Sequence, residues 1–299
     1  MKIQLLNGGL ANQVFQYIFA RYGELSRPGD GKWFFDDSAY FVGKVHNGYE
    51  LEKVFGIKAN LLSTAMEPDV WSEYIDLKAK GMSIPQIFAD CGEDIIMYAE
   101  TDDYKMTNPF KGRVYRMMPE GNFYPGVVGL NAANVYYHGN WVEANWFNGY
   151  KDVFRKELAF PELKGKQACT YMEQIKEKYS VAVHIRRGDY LGLGLALESN
   201  YYHEALSKLA EEKEDYRVFV FSDDLYWCNQ HSGELGLHFA PEVVYVSGNY
   251  GAESYVDLQL MSMCDGLIMA NSAFSYLAGL LNEHLDFVIN PIVEKEDAE

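Results

Sequence analysis

The chain has few of the features that mark several large protein classes. Its 4 cysteines, Cys91, Cys169, Cys228 and Cys264, are scattered with no CxxC spacing. That excludes a disulfide framework, argues against zinc, and predicts reduced thiols in a cytosolic protein. Positive charge is also scarce, with 26 basic residues against 43 acidic ones and a formal net charge of -17. Broad nucleic-acid binding draws on many Lys and Arg to neutralise phosphates, so this composition disfavours it. A long apolar run is missing too: Asn7, Asn12 and Gln13 break MKIQLLNGGLANQVFQYIFA early. A signal peptide or membrane span would not be interrupted in that way. The expectation is a soluble cytoplasmic protein that can still work at the periphery of the inner membrane. No internal repeat or low-complexity linker is visible, and the acidic ending VEKEDAE reads as a frayed tail.

What is present describes a folded globular chain. The 299 residues are 48% hydrophobic and 15% aromatic, enough for two modest domains with their own cores. KIQLL (2 to 6) reads as a short strand, and NGGLAN is a glycine turn leading into an amphipathic helix carrying Val14, Tyr17, Ile18 and Leu25. From about 36 to 160 the pattern is irregular and aromatic-rich, with helical stretches near 61 to 79 and 149 to 158 and no legible topology. The last 120 or so residues alternate strictly. Strands are expected at 181 to 185, 217 to 222, 243 to 247, 266 to 270 and 286 to 289, with helices at 200 to 213, 224 to 231, 253 to 264 and 273 to 283. Continuous apolar strands alternating with helices predict a parallel sheet covered on both faces, a Rossmann-like half. The change of pattern places a domain boundary so that 1–160 and 161–299 form the two domains.

In such sheets ligands bind beyond the carboxyl ends of the strands. HIRRGDYL (184 to 191) stands at one of those ends, where a chain of this acidity has placed its only Arg-Arg pair. A guanidinium is permanently charged, and its planar fork matches a diphosphate. Adjacent residues leaving a strand point in different directions, so one of Arg186 and Arg187 is expected to meet phosphates while the other pairs with a carboxylate. Asp223 and Asp224, after the strand RVFVFS, fit either a ribose or guanine contact or a helix N-cap. Asn271 and Ser272 precede the helix FSYLAGLLN and fit both an N-cap and a phosphate site. His184 fits a nucleotide contact or a satisfied core position.

Other stretches carry weaker readings. Asn12 and Gln13 in GGLANQ are placed to touch a ligand, or only to start a helix. His46 and Glu50 in HNGYELEKVFGI fit packing better than acceptor contact. Trp141 and Trp146 in YYHGNWVEANWF suit sugar stacking, but aromatics this dense are more often core. Among the carboxylates near the arginines, Asp189 is by position the first choice of a general base and Glu198 the second.

HIRRGDY, the strand-end SDD, NSAFS and the opening GGLANQVFQY together resemble glycosyltransferase family 11, the α-1,2-fucosyltransferases. The resemblance runs from Leu6 to about Asn290 and includes HNGYELEKVF and SNYYHEAL. It implies a glycosyltransferase B fold of two Rossmann-like domains facing a cleft, with GDP-L-fucose on the C-terminal half and a galactose-terminated acceptor, free or lipid-linked, on the N-terminal half. By similarity, Arg186 would contact the β-phosphate, His184 and one of the SDD aspartates the guanosine, and Asn12 the reacting centre, without a metal ion; FSDDL offers a contiguous acid pair and no DxD. The sequence departs from the family pattern at Ala11, where a glycine is usual, in ANSAFSYLAG, which lacks two tryptophans, and in HGNWVEANWF. The alternatives are an α-1,6 or peptide O-fucosyltransferase and a noncatalytic GDP-sugar-binding protein.

Overall fold

The computed structural model describes residues 1–43, 46–101, 115–119, 123–130 and 134–291; the terminal VEKEDAE lies outside them. The chain divides into two compact units, Met1–Pro161 and Glu162–Glu299. Each is built on one five-stranded, wholly parallel sheet. Among the described residues no helix is long and apolar enough to cross a membrane.

In the first unit β1 (Lys2–Leu5), β2 (Trp33–Asp36), β3 (Ile96–Thr101), β4 (Tyr115–Pro119) and β5 (Val135–His138) lie in the order β2-β1-β5-β3-β4. The irregular middle of the sequence thus supplies β3, β4 and β5. After β1 the chain turns at Gly8, whose φ of +73° is one that L side chains rarely adopt, and enters the 17-residue helix Leu10–Ser26. That helix packs on an aromatic core: Phe19 stacks on Trp141 with centroids 3.9 Å apart and meets Trp33 and Trp146 edge-on. Trp141 and Trp146 are both fully buried, so they belong to the core.

Gly23 shows how tight this packing is. A Cβ there would collide with the Trp33 ring. In a solvent-facing helix, glycine to alanine gains about 1 kcal/mol. Here overpacking outweighs that gain, so Gly23→Ala is expected to lower stability by about 1–3 kcal/mol in urea unfolding.

In the second unit β6 (Ser180–Ile185), β7 (Arg217–Ser222), β8 (Glu242–Tyr245), β9 (Gly266–Ile268) and β10 (Phe287–Ile289) take the order β10-β9-β6-β7-β8. The predicted alternation of strand and helix is present throughout. β6 is buried along its whole length, and Val181, Val183, Val218 and Val220 share one core with Tyr202, Leu206 and Leu209 of the helix Ser199–Glu212. Strand order reverses between β6 and β9. At such a reversal the connections leave to opposite sides and open a crevice beyond the strand ends.

Candidate active site

Most of the residues singled out by sequence stand at that reversal. His184, near the end of β6, is 6% exposed, and its ring lies 5.8 Å from that of Phe274 in the helix Ala273–Leu281, which follows β9. Burial, reinforced by the charge of Arg186, pushes the imidazole pKa down to about 3. The ring is therefore neutral at pH 7, and its buried Nδ1 has no hydrogen-bond partner among the described residues. Below pH 6.5 the unfolded chain takes up a proton that folded His184 refuses, so its effect is to lower stability progressively on acidification. An orphaned buried nitrogen calls for a ligand or water to complete it.

Beyond β6 the two arginines part. Arg186 stays partly exposed, its guanidinium gripped by Asp189 at 2.6 Å and by Asp223 at 2.8 Å. Arg187 turns inward: its guanidinium lies over Trp227, 3.4 Å from the ring centroid, with Asp224 in ion-pair range at 3.5 Å. Trp227 in turn stacks on His231. Arg186 is thus the outward fork and Arg187 the internal one. Both retain carboxylate neighbours.

The two aspartates also differ. Asp223 accepts the Arg187 backbone N–H through Oδ1 and pairs with Arg186 through Oδ2. The chain can pass this close only because residue 188 is glycine, since a Cβ there would come within 2.6 Å of Asp223 Oδ2. Asp224 fills the N-cap of the helix Leu225–Gln230, accepting from Trp227 N at 3.0 Å. Beyond β9, Ser272 caps the helix Ala273–Leu281 and Asn271 is exposed. Glu198 is exposed at the start of the helix Ser199–Glu212 and makes no side-chain cap.

In the first unit the glycine turn is held by amides. Gln13 is fully buried and donates to the carbonyls of Gly8 and Gly48 while accepting from Glu50 N–H. It is a structural clamp, with both ends of its amide committed to backbone. Gln16 bonds Asn7 and Asn140, tying β1 to the segment after β5. Asn12 sits in the first turn of the helix, half-buried, with no hydrogen bond to its side chain among the described residues. Glu50 is buried and His46 packs over Gly9, as the packing reading anticipates.

One acid escaped the sequence reading. Asp257 lies in the first turn of the helix Tyr255–Met261, which follows the carboxyl end of β8, and takes a hydrogen bond from Asn249 at 2.7 Å. Burial raises its pKa to about 6. The available signal was a lone acid inside the apolar run YVDLQLM. Between the unfolded value near 3.9 and about 6 the folded chain holds a proton that the unfolded chain has lost, so stability falls as pH rises through that window. Above it the full cost stands. Asp257→Asn is expected to stabilise the protein by about 2–3 kcal/mol at pH 7.5 and by little near pH 4, read from urea unfolding at both pH values.

The family profile described as Glycosyl transferase family 11 matches residues 99–296, which include both arginines, the aspartate pair and the segment at Asn271 and Ser272. The chain belongs to that family. This glycosyltransferase is 28% identical to an α-1,2-colitosyltransferase of Escherichia coli over 96% of its own length and 89% of the relative's. It is 25% identical to the O-antigen biosynthesis glycosyltransferase WbnK of Escherichia coli, over 95% and 91% of the two chains. Among solved structures it resembles the fucosyltransferase NodZ from Bradyrhizobium at 14% identity and a TM-score of 0.49, over 94% and 92% of the chains. That last likeness concerns chain course only. Two parallel α/β sheets are the architecture expected of a glycosyltransferase B fold.

Proposed function

We propose that this family 11 glycosyltransferase transfers L-fucose from GDP-β-L-fucose to the 2-hydroxyl of a terminal galactoside, with inversion at C1 and without a metal ion. The observation that carries the reading is the pairing, at one strand-order reversal, of an outward guanidinium, Arg186, with a buried neutral imidazole, His184, that has an unfilled nitrogen. The first suits a diphosphate and the second a hydroxyl or an N–H donor. Nearby, the capped start of the helix Ala273–Leu281 offers further backbone N–H groups to an anion.

Charge develops on the diphosphate as the C1–O bond breaks. A preorganised cation there binds the transition state more tightly than the ground state and so lowers the barrier. Asp189 and Asp223 hold the Arg186 fork from two sides, which fixes it before substrate arrives. Asp189 thereby has one carboxylate oxygen committed to Arg186. Arg187, stacked and paired, supports the turn that presents Arg186.

A second donor is favoured by one observation, the 28% identity to a relative named for colitose transfer. GDP-linked fucose and GDP-linked colitose offered separately, with GDP release measured in the presence of lactose, distinguish the two. Faster turnover with the fucosyl donor supports the reading. Faster turnover with the colitosyl donor replaces fucose as the transferred sugar, and no binding of GDP at all overturns the donor site.

A further inference from the structure

Resting on that reading, we propose that Asp257, with Asn249 beside it, accepts the N1–H and the 2-amino N–H of guanine and so selects a guanosine diphosphate donor. Sequence offered Asp223 and Asp224 for such a contact. Asp223 has both oxygens engaged, one by the Arg187 backbone N–H and one by Arg186. Asp224 accepts from Trp227 N through Oδ1, and its Oδ2 faces Arg187. Of the other acids beyond these strand ends, Asp189 is bonded to Arg186, and Glu198 and Glu253 are exposed. Asp257 differs from all of them. Among the described residues only its Oδ1 takes a side-chain hydrogen bond, from Asn249 at 2.7 Å, and no cation acts on the carboxylate.

Its position follows from the topology of the second sheet alone. β8 lies at one edge and β9 on the far side of β6, so the connection between them starts at the carboxyl end of β8 and runs back past β7 and β6. The helix Tyr255–Met261 lies in that connection and packs against the helix Ala273–Leu281, whose Phe274 ring lies beside that of His184. Its first turn, with Asp257, therefore stands at the same end of the sheet as His184 and Arg186. The loop before it is fixed. Tyr171 donates to the Tyr245 carbonyl and accepts from the Ser247 N–H, and Gly248 takes a φ of +95° where a Cβ would come within 2.8 Å of Gln167. Asn249 is thereby placed before a ligand arrives. Next to it Tyr250 is 74% exposed, an uncovered ring of the kind on which bases stack.

The chemistry singles out guanine. Its N1–H and 2-amino group are two donors side by side, and a carboxylate accepts both at once. Adenine presents an acceptor at N1, and hypoxanthine keeps the N1–H but lacks the amino group. The carboxylate does nothing comparable for the fold: it is ionised above about pH 6, half-buried and without a counter-ion among the described residues, so its charge lowers stability. A charge kept against stability is expected where a ligand uses it.

The test is calorimetric titration of GDP, IDP and ADP into wild type and Asp257→Asn at pH 7.5, beside urea unfolding of both. Wild type is expected to bind GDP most tightly, IDP less tightly and ADP least. Asp257→Asn, the more stable protein at this pH, should bind GDP about 10- to 100-fold more weakly, as loss of hydrogen bonds to a charged group predicts. Its affinity for ADP should not fall, so the preference among the three bases collapses. Arg186→Lys should instead weaken all three alike, because they share the diphosphate. An Asp257→Asn variant that keeps the wild-type preference for GDP over ADP overturns the assignment to Asp257 and leaves the donor reading standing. A wild type that binds GDP and ADP equally overturns selection of guanine by this chain. A wild type that binds none of the three overturns the donor reading itself.

Discussion

Arg186→Lys is expected to bind GDP-fucose weakly and to transfer fucose about a hundred- to a thousandfold more slowly than wild type. The magnitude follows from what a preorganised charge at a developing anion contributes, roughly 2.7–4 kcal/mol of barrier. Lysine keeps the charge but lacks the planar fork, and the fork is what Asp189 and Asp223 hold from two sides at 2.6 and 2.8 Å. An ammonium could satisfy one of those carboxylates, leaving the other without its partner and the cation displaced from the diphosphate. Arg187→Lys separates the two arginines. It loses the stack on Trp227 and should reduce stability more than it reduces the chemical step. Single-turnover rates with saturating donor, beside unfolding curves, give both comparisons. An Arg186→Lys variant within about tenfold of wild type would remove Arg186 from the transition state.

Asp36→Ala is expected to cost about 3–5 kcal/mol of stability, the usual consequence of removing one side of a buried ion pair. Asp36 is completely buried at the end of β2 and accepts from Tyr74, Tyr136, Lys78 and the Ser38 N–H. Burial alone would raise its pKa, but the Lys78 charge and the bonds from Ser38, Tyr136 and Tyr74 outweigh it and hold the carboxyl below its ordinary value. With the carboxylate gone, the fully buried Tyr136 hydroxyl loses its acceptor. Because the folded value is depressed, the stabilisation stands in full above about pH 4 and is lost only as pH falls through the folded value. Urea unfolding at pH 7 should show a lower midpoint with an unchanged slope. A midpoint equal to wild type would mean that the network contributes no net stability.

The second sheet was legible because its strands are aliphatic and continuous. VAVHI and RVFVFS are buried on both faces, and that burial writes an unbroken apolar run into the sequence. Apart from β1, which KIQLL announces, the first sheet hides its strands. β2 is WFFD and β5 is VYYH, each four residues long and ending on a polar side chain that local pattern assigns to a loop. Asp36 is tolerated at a strand end only because Lys78, 42 residues later, reaches back to it. No local rule carries that information.

The candidate site divides in the same way. A pair of arginines at a strand end is visible in sequence, but the division of labour between them is set by Asp223, Asp224 and Trp227, which come from 36 or more residues away. Gln13 looked as available as Asn12 until the structure showed both ends of its amide bound to the backbone of residues 8, 48 and 50.

Incubating the purified chain with GDP-fucose and lactose, with and without EDTA, and analysing the linkage of the product decides whether this is a metal-independent 2-fucosyltransferase. The expected product is a trisaccharide with fucose α-linked to the galactose 2-hydroxyl, formed at the same rate in both samples. A product linked elsewhere, a rate abolished by EDTA, or GDP-fucose bound and returned without transfer would contradict that assignment.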